Sequence, residues 1–216
     1  MREQVIGFGA GGHAKVVIEI LRAGDRYEVI GLLDPDPELK GKSVLEVPVL
    51  GDDSILPCLA DQRIKRFFVG VGSVGDASNR KRLYEKGLAL GMGPVSCIHP
   101  AAIISPSVAM GQGNTIMAGV IINACAKLGN NIIVNTGAVV DHDCWLEDHV
   151  HIATGAHLCG AVRVGIGAHI GAGAVIRQNI HVGEQSVVGV GAAVVQDVAP
   201  NQVVAGVPAR PLLRRI

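Results

Sequence analysis

The chain has 216 residues, 49% of them hydrophobic and only 3% aromatic, with a formal net charge of +0. That length suits one large domain or two small ones. The balanced charge leaves no nucleic-acid footprint beyond a small basic C-terminus of Arg210, Arg214 and Arg215. No apolar run of ~18 residues is free of polar breaks, so no membrane span is expected. A core made almost wholly of Val, Ile, Leu and Ala must be narrow and repetitive, because large rings normally fill volume. Five scattered cysteines without a C-x-x-C pair point to free thiols in a reducing cytoplasm. The opening MREQVIGFGAGG lacks the apolar core of a signal peptide.

Residues 1–97 alternate strand and helix patterns. VIGFGAGGHAKVVIEILRAG reads as an apolar strand, a glycine turn and a helix from about His13 to Ala23. EVIGLLDPDP reads as a second strand ending at Asp34, and Val47–Leu50 as a short third. Arg66–Ser73 reads as another strand, followed by a helix in ASNRKRLYEKGLALG that Gly91 ends. The order predicts a small parallel α/β sheet. GPVSCIHPAAIISPS, punctuated by Pro94, Pro100 and Pro106, reads as a connector to a second domain over residues 98–216. Gly7, Gly9 and Gly12 satisfy G-x-G-x-x-G, and Asp34 follows about twenty residues on. Fewer than about a hundred residues cannot hold both halves of a dinucleotide fold. One half binds one phosphate-bearing moiety at its helix N-terminus, so a nucleotide-sugar diphosphate fits better than a nicotinamide dinucleotide. A purely structural glycine turn is the bland alternative.

Beyond residue 100 the chain keeps a period of six. From Ile104 through Ile116, Val134, Ile152 and Ile170 to Val194, sixteen successive sixth residues are aliphatic, without a slip. A small or β-branched residue usually sits two places earlier, and glycine often follows, as at Gly111, Gly129 and Gly183. Neither helix nor ordinary strand has this period. Short strands joined by tight corners do: three hexads close a triangular coil, and about five stacked coils make a parallel β-helix. The unbroken register predicts no long loop extruded between residues 104 and 194.

In this register AVVDHDCWLEDHVHIATG acquires geometry. His151 precedes inward Ile152 and points outward from a flat face. His169 repeats that phase one coil on, and His157 and His181 repeat it on the other faces. His142 and Asp143 fall at a corner, Cys144 points inward as core filler, and Asp148 and His149 fall in the next corner; for His149 and His157 a solvated surface is expected. A zinc site needs several ligands around one point. His142 and His151 are half a coil apart, so only a second subunit could bring them to one ion, and no metal is expected. A histidine beside a carboxylate is a general-base pair, the carboxylate favouring the protonated ring. Acyl transfer to an amine or hydroxyl calls for such a base. A merely polar corner is the alternative.

GAGGHAKVV, VGVGS, IHPAAIISPSV, NTGAVVDHDC and VVAGVPAR together resemble the bacterial nucleotide-sugar acetyltransferases of the hexapeptide-repeat superfamily, which include the bacillosamine and perosamine N-acetyltransferases and the sialic-acid O-acetyltransferase-like group. The resemblance implies a left-handed β-helix behind a Rossmann-like domain, a cytoplasmic homotrimer, and a role in glycan biosynthesis. It implies acetyl-CoA as co-substrate and the 4-amino group of a nucleotide-linked 4-amino-4,6-dideoxy sugar as acceptor. It casts His142 as catalytic base tuned by Asp143, and His151 with the backbone near Ala172 and Val190 as acetyl-CoA contacts. Val190 departs from the glycine often found there. Gly11, Gly12 and His13 would cradle the diphosphate, Asp34 would read the base, and Gly72 and Ser73 would border the nucleotide. A sugar O-acetyltransferase and, at a distance, a metal-dependent carbonic-anhydrase-like β-helix enzyme are the alternatives.

Overall fold

The computed structural model describes residues 2–61 and 64–212. Arg214 and Arg215 of the basic C-terminus lie outside the described residues. The N-terminal half carries strands β1 (Glu3–Phe8), β2 (Tyr27–Leu33), β3 (Ser43–Val44), β4 (Val47–Gly51), β5 (Arg66–Val69) and β6 (Gly93–Pro94). Its helices are α1 (Gly12–Ala23), α2 (Leu56–Asp61) and α3 (Ser78–Ala89). The sheet order is β3-β4-β2-β1-β5-β6, parallel except for the β3–β4 hairpin. The strand expected over Arg66–Ser73 stops at Val69, and Gly70–Ser73 leave the sheet as a loop. The expected connector is ordered structure: Gly93–Pro94 closes the sheet edge, and Cys97–Ile98 already pairs with Thr115–Ile116.

From Cys97 the chain winds in two-residue strands. Each pairs with the strand eighteen residues on, as in Thr115↔Ile133, Ile133↔His151 and His151↔His169. Three ladders result, of eight, six and five strands, parallel except where Arg210–Pro211 pairs antiparallel with Val203–Ala205, and they form the faces of a three-sided column. The anchors point inward. Ile116, Val134, Val140, Leu146, Ile152 and Ile170 are all completely buried in one continuous core. Each contributes about 1.5–3 kcal/mol of apolar burial.

The corners do not turn on the glycines that follow the anchors. Every sixth residue from Gly113 to Gly191 has positive φ, including Asp143 at 58° and His149 at 62°. These sit three places after the anchor, whereas the glycines just after the anchor have ordinary backbone. Those are small because the next coil is close: a Cβ on Gly183 would lie 2.4 Å from the Pro200 nitrogen.

Helix α1 joins the two halves. Of its five buried residues, Ala14, Val17, Ile18 and Leu21 follow helical spacing, with Ile20 beside them. Val17, Ile18 and Leu21 share one apolar cluster with Val5, Leu32 and Phe68 of the sheet and with Cys97, Met117 and Ile133 of the column. The first face of the column is therefore covered by the small domain. Among the described residues no helix is long and apolar enough to cross a membrane.

Candidate active site

The turn after β1 builds the first half of the site. Gly9 has φ 96°, and a Cβ there would meet Val71 at 2.5 Å, so the loop closes against the end of β5. Gly11 and Gly12 have nothing within 4 Å of a would-be Cβ: they face open space at the start of α1. No side chain caps that helix, which leaves its first backbone N–H groups available to an anion. A cleft of about 490 Å³ lies here, lined by Gly11, Gly12, His13, Asp34 and Gly72 of the expected residues. Asp34 braces the loop: Oδ2 accepts from Ala10 N–H at 2.8 Å and Oδ1 from Asp36 N–H at 3.0 Å. Burial and the Arg80 cation push His13 down to about 4, so its ring is neutral, and its buried Nε2 has no partner among the described residues.

Asp53, Asn79 and Arg82 also line this cleft and were not anticipated. Asn79 accepts from Arg82 at 2.9 Å, and Asp53 pairs with Lys86 at 2.6 Å. The usable signal is topological, because the start of α3 and the carboxyl end of β5 face the same crevice.

Ser73 does not line that cleft. It lies at the junction of the two halves, where its carbonyl accepts from His151 Nδ1–H and its hydroxyl lies 3.3 Å from Arg80 Nε. Arg80 takes the inward position of α3 with Leu83, Tyr84 and Gly87, and is 1% exposed. Its guanidinium donates to the carbonyls of Asn131 and His149 on the column. Two expectations change here. His151 points outward from its face as its phase requires, yet it is only 6% exposed because the small domain covers that face. His149 is not solvated surface: it is 7% exposed, bonded through Nδ1 to Asn131 and packed edge-on against Tyr84. Burial, then His169, pushes His151 down to about 3, so it acts as a neutral group.

His142 and Asp143 occupy the corner between the second and third faces. The left-handed backbone at Asp143 turns its carboxylate back, and Oδ2 accepts from His142 Nδ1–H at 2.8 Å. Asp141 accepts the His142 backbone N–H at 2.8 Å and is itself held by Asn123 at 3.0 Å. The Asp143 hydrogen bond and then the Asp141 charge raise the imidazole above its ordinary 6.5. The ring lies against Gly160 of the next coil, where a Cβ would stand 2.6 Å from its Cε1 and Nε2. With Nδ1 engaged, Nε2 carries the lone pair and makes no hydrogen bond among the described residues, on a side chain that is 59% exposed. Cys144 beside it is fully buried, its thiol pushed up to about 11.

Ala172 and Val190 stack one coil apart at the corner between the first and second faces. Their backbone N–H groups make no hydrogen bond among the described residues. Val190 is 78% exposed and lines a second cleft. Four of the eight histidines bear on the site. His13, His151 and His169 gather beneath the small domain, while His142 stands at a different corner. Among the described residues no three His, Cys, Asp or Glu are grouped to hold a metal ion.

This arrangement has counterparts. Residues 4–87 match the PglD N-terminal domain family. Perosamine N-acetyltransferase from Caulobacter crescentus, solved with CoA and GDP-perosamine, is 42% identical over 98% of this chain and 97% of its own, with TM-score 0.91. The chain belongs to the hexapeptide-repeat nucleotide-sugar acetyltransferases. The acetyltransferase domain of PglB from Neisseria gonorrhoeae is 40% identical over 98% of this acetyltransferase and 100% of its own length, with TM-score 0.90; it has also been solved with acetyl coenzyme A. WeeI from Acinetobacter baumannii is 25% identical over 97% of this chain, with TM-score 0.81. No curated protein sequence matches the chain. The column is the left-handed β-helix of this family.

Proposed function

We propose that this acetyltransferase transfers acetyl from acetyl-CoA to the 4-amino group of a nucleotide-linked 4-amino-4,6-dideoxy sugar, with His142 as general base. The observation that carries the reading is the His142–Asp143 pair: one ring nitrogen is held by a carboxylate, the other makes no hydrogen bond among the described residues, and the side chain is more than half exposed at a column corner. The two relatives solved with CoA or acetyl-CoA, one of them also holding a nucleotide-linked amino sugar, support the substrate pair. In this reading the glycine-loop cleft takes the nucleotide diphosphate through Gly11, Gly12 and the first turn of α1. The donor's arm lies along the corner of Ala172 and Val190, past His151. The boundary between the two working halves falls near residue 97.

The chemistry follows from the protonation states. The sugar amine attacks the thioester carbonyl carbon, forming the C–N bond and a tetrahedral oxyanion. His142 Nε2 accepts the surplus amine proton, and Asp143 stabilises the imidazolium. The oxyanion collapses, the C–S bond breaks, and the proton passes from His142 to the departing thiolate. No covalent enzyme intermediate forms.

Replacing His142 with Ala removes the base without disturbing the buried core, since the side chain is 59% exposed. Turnover falls about 10²–10⁴-fold while CoA binding, read by calorimetry, is retained. Wild-type turnover in that variant refutes the assignment. A product whose acetyl group is released by mild alkali places it on oxygen instead of nitrogen.

A further inference from the structure

The loop from Gly70 to Asp76 serves two clefts. Gly70, Val71 and Gly72 line the glycine-loop cleft. Val74, Gly75 and Asp76 line a second cleft of about 520 Å³ against the column. The column side of that second cleft is mostly apolar, with Val187, Val190 and Val203, and its polar side chains include His169, Gln185 and Asn201. An apolar channel with sparse hydrogen-bonding groups suits a long uncharged arm interrupted by amides. The pantetheine portion of an acyl-CoA is such an arm.

His169 is the unexplained group in this cleft. It stands one coil beyond His151, with the two rings edge-to-face at 4.9 Å. It is 8% exposed, and its Nδ1 is buried without a partner among the described residues. Its Nε2 makes no hydrogen bond among the described residues either, and it is the ring nitrogen not sealed off. Burial and then the Arg80 cation hold the ring neutral. A neutral ring loses least by keeping only a lone pair at the sealed Nδ1 and carrying its proton on Nε2. Unpartnered buried polar groups in folded proteins require a reason, and a ligand in the cleft supplies one.

We infer that His169 is a further donor-binding residue, whose Nε2–H donates to an amide carbonyl of the acyl-carrying arm. The inference rests on the reading that this cleft holds that arm. It is distinct from the roles of His142, which takes a proton, and of His151, whose Nδ1 is already committed to Ser73.

Two variants separate the inference from the reading beneath it. His169→Leu keeps the bulk and removes the donor, and Val187→Trp fills the cleft. With circular dichroism confirming the fold, His169→Leu raises the KM for acetyl-CoA and the calorimetric Kd for CoA about five- to tenfold, the range of one neutral hydrogen bond. The kcat stays within about twofold, the KM for the nucleotide sugar is unchanged, and His169→Asn recovers part of the loss. Val187→Trp abolishes CoA binding. If His169→Leu leaves CoA affinity unchanged while Val187→Trp abolishes it, the role of His169 is overturned and the cleft assignment stands. If Val187→Trp binds CoA normally, both are overturned.

Discussion

At His142 two carboxylates act on one imidazole by different routes. Asp143 bonds directly to Nδ1, whereas Asp141 bonds the backbone N–H and acts on the ring through charge. Both favour the protonated form, so the folded pKa lies above 6.5. A general base works only when deprotonated, so kcat/KM rises with pH through that raised value. Asp143→Asn removes the larger of the two effects. The acidic limb of the pH–kcat/KM profile then moves to lower pH, while the plateau falls because the ring is no longer oriented. An acidic limb that stays in place in Asp143→Asn assigns the titration to another group, the sugar ammonium included. The His142–Asp143 pair was legible in the sequence because adjacent residues at a corner need no long-range information. The burial of His149 was not. Its phase marks a corner, and corners face water unless another element covers them. The covering element is α3, whose Arg80 occupies a position that helical spacing marks as apolar.

At the level of the coil, the sixfold cadence specified which side chains point inward, because each face is only two residues wide and a slip of one would reverse it. It did not reveal why the glycines are where they are. The sequence shows glycine at many corners, but only the stacked coordinates separate positions of positive φ from positions pressed against the next coil. Gly160 and Gly183 show why the distinction matters. A methyl on Gly183 meets the Pro200 nitrogen at 2.4 Å and the Ala199 carbonyl carbon at 2.8 Å, both backbone atoms that cannot move alone. Gly183→Ala therefore lowers stability by about 1–3 kcal/mol, the range for overpacking, measurable by urea denaturation. The three atoms nearest a methyl on Gly160 all belong to the ring of His142, a side chain 59% exposed that can swing into solvent. Gly160→Ala therefore leaves the denaturation midpoint nearly unchanged and lowers kcat, by as much as about 10²-fold if the ring moves by about 1 Å. Equal stability losses in the two variants would contradict this division between backbone and side-chain contact.

Across the whole molecule the proposed acetyl-transfer site is divided. His142 stands between the second and third faces, whereas His151, Ala172 and Val190 belong to the first face and its corner with the second. A rigid column cannot bring its own corners together, so one catalytic centre needs His142 from one protomer and the donor cleft of another. The second face has the character of a contact surface, with Ile103 66% and Val175 46% exposed. The proposed trimer meets this need if its closed ring sets each His142 corner against a neighbour's first-face corner. Two inactive variants test this. His142→Ala lacks the base but keeps the donor cleft. Val190→Trp obstructs the donor corner at a side chain that is 78% exposed, and keeps the base. Mixed after mild denaturation and reassembly, the two variants recover activity at interfaces that combine an intact base with an intact cleft, about a quarter of them under random assembly. Each variant reassembled alone stays inactive. If the mixture stays inactive while sedimentation shows that mixed oligomers have formed, each site lies within a single chain, and the proposed split between the two corners is wrong.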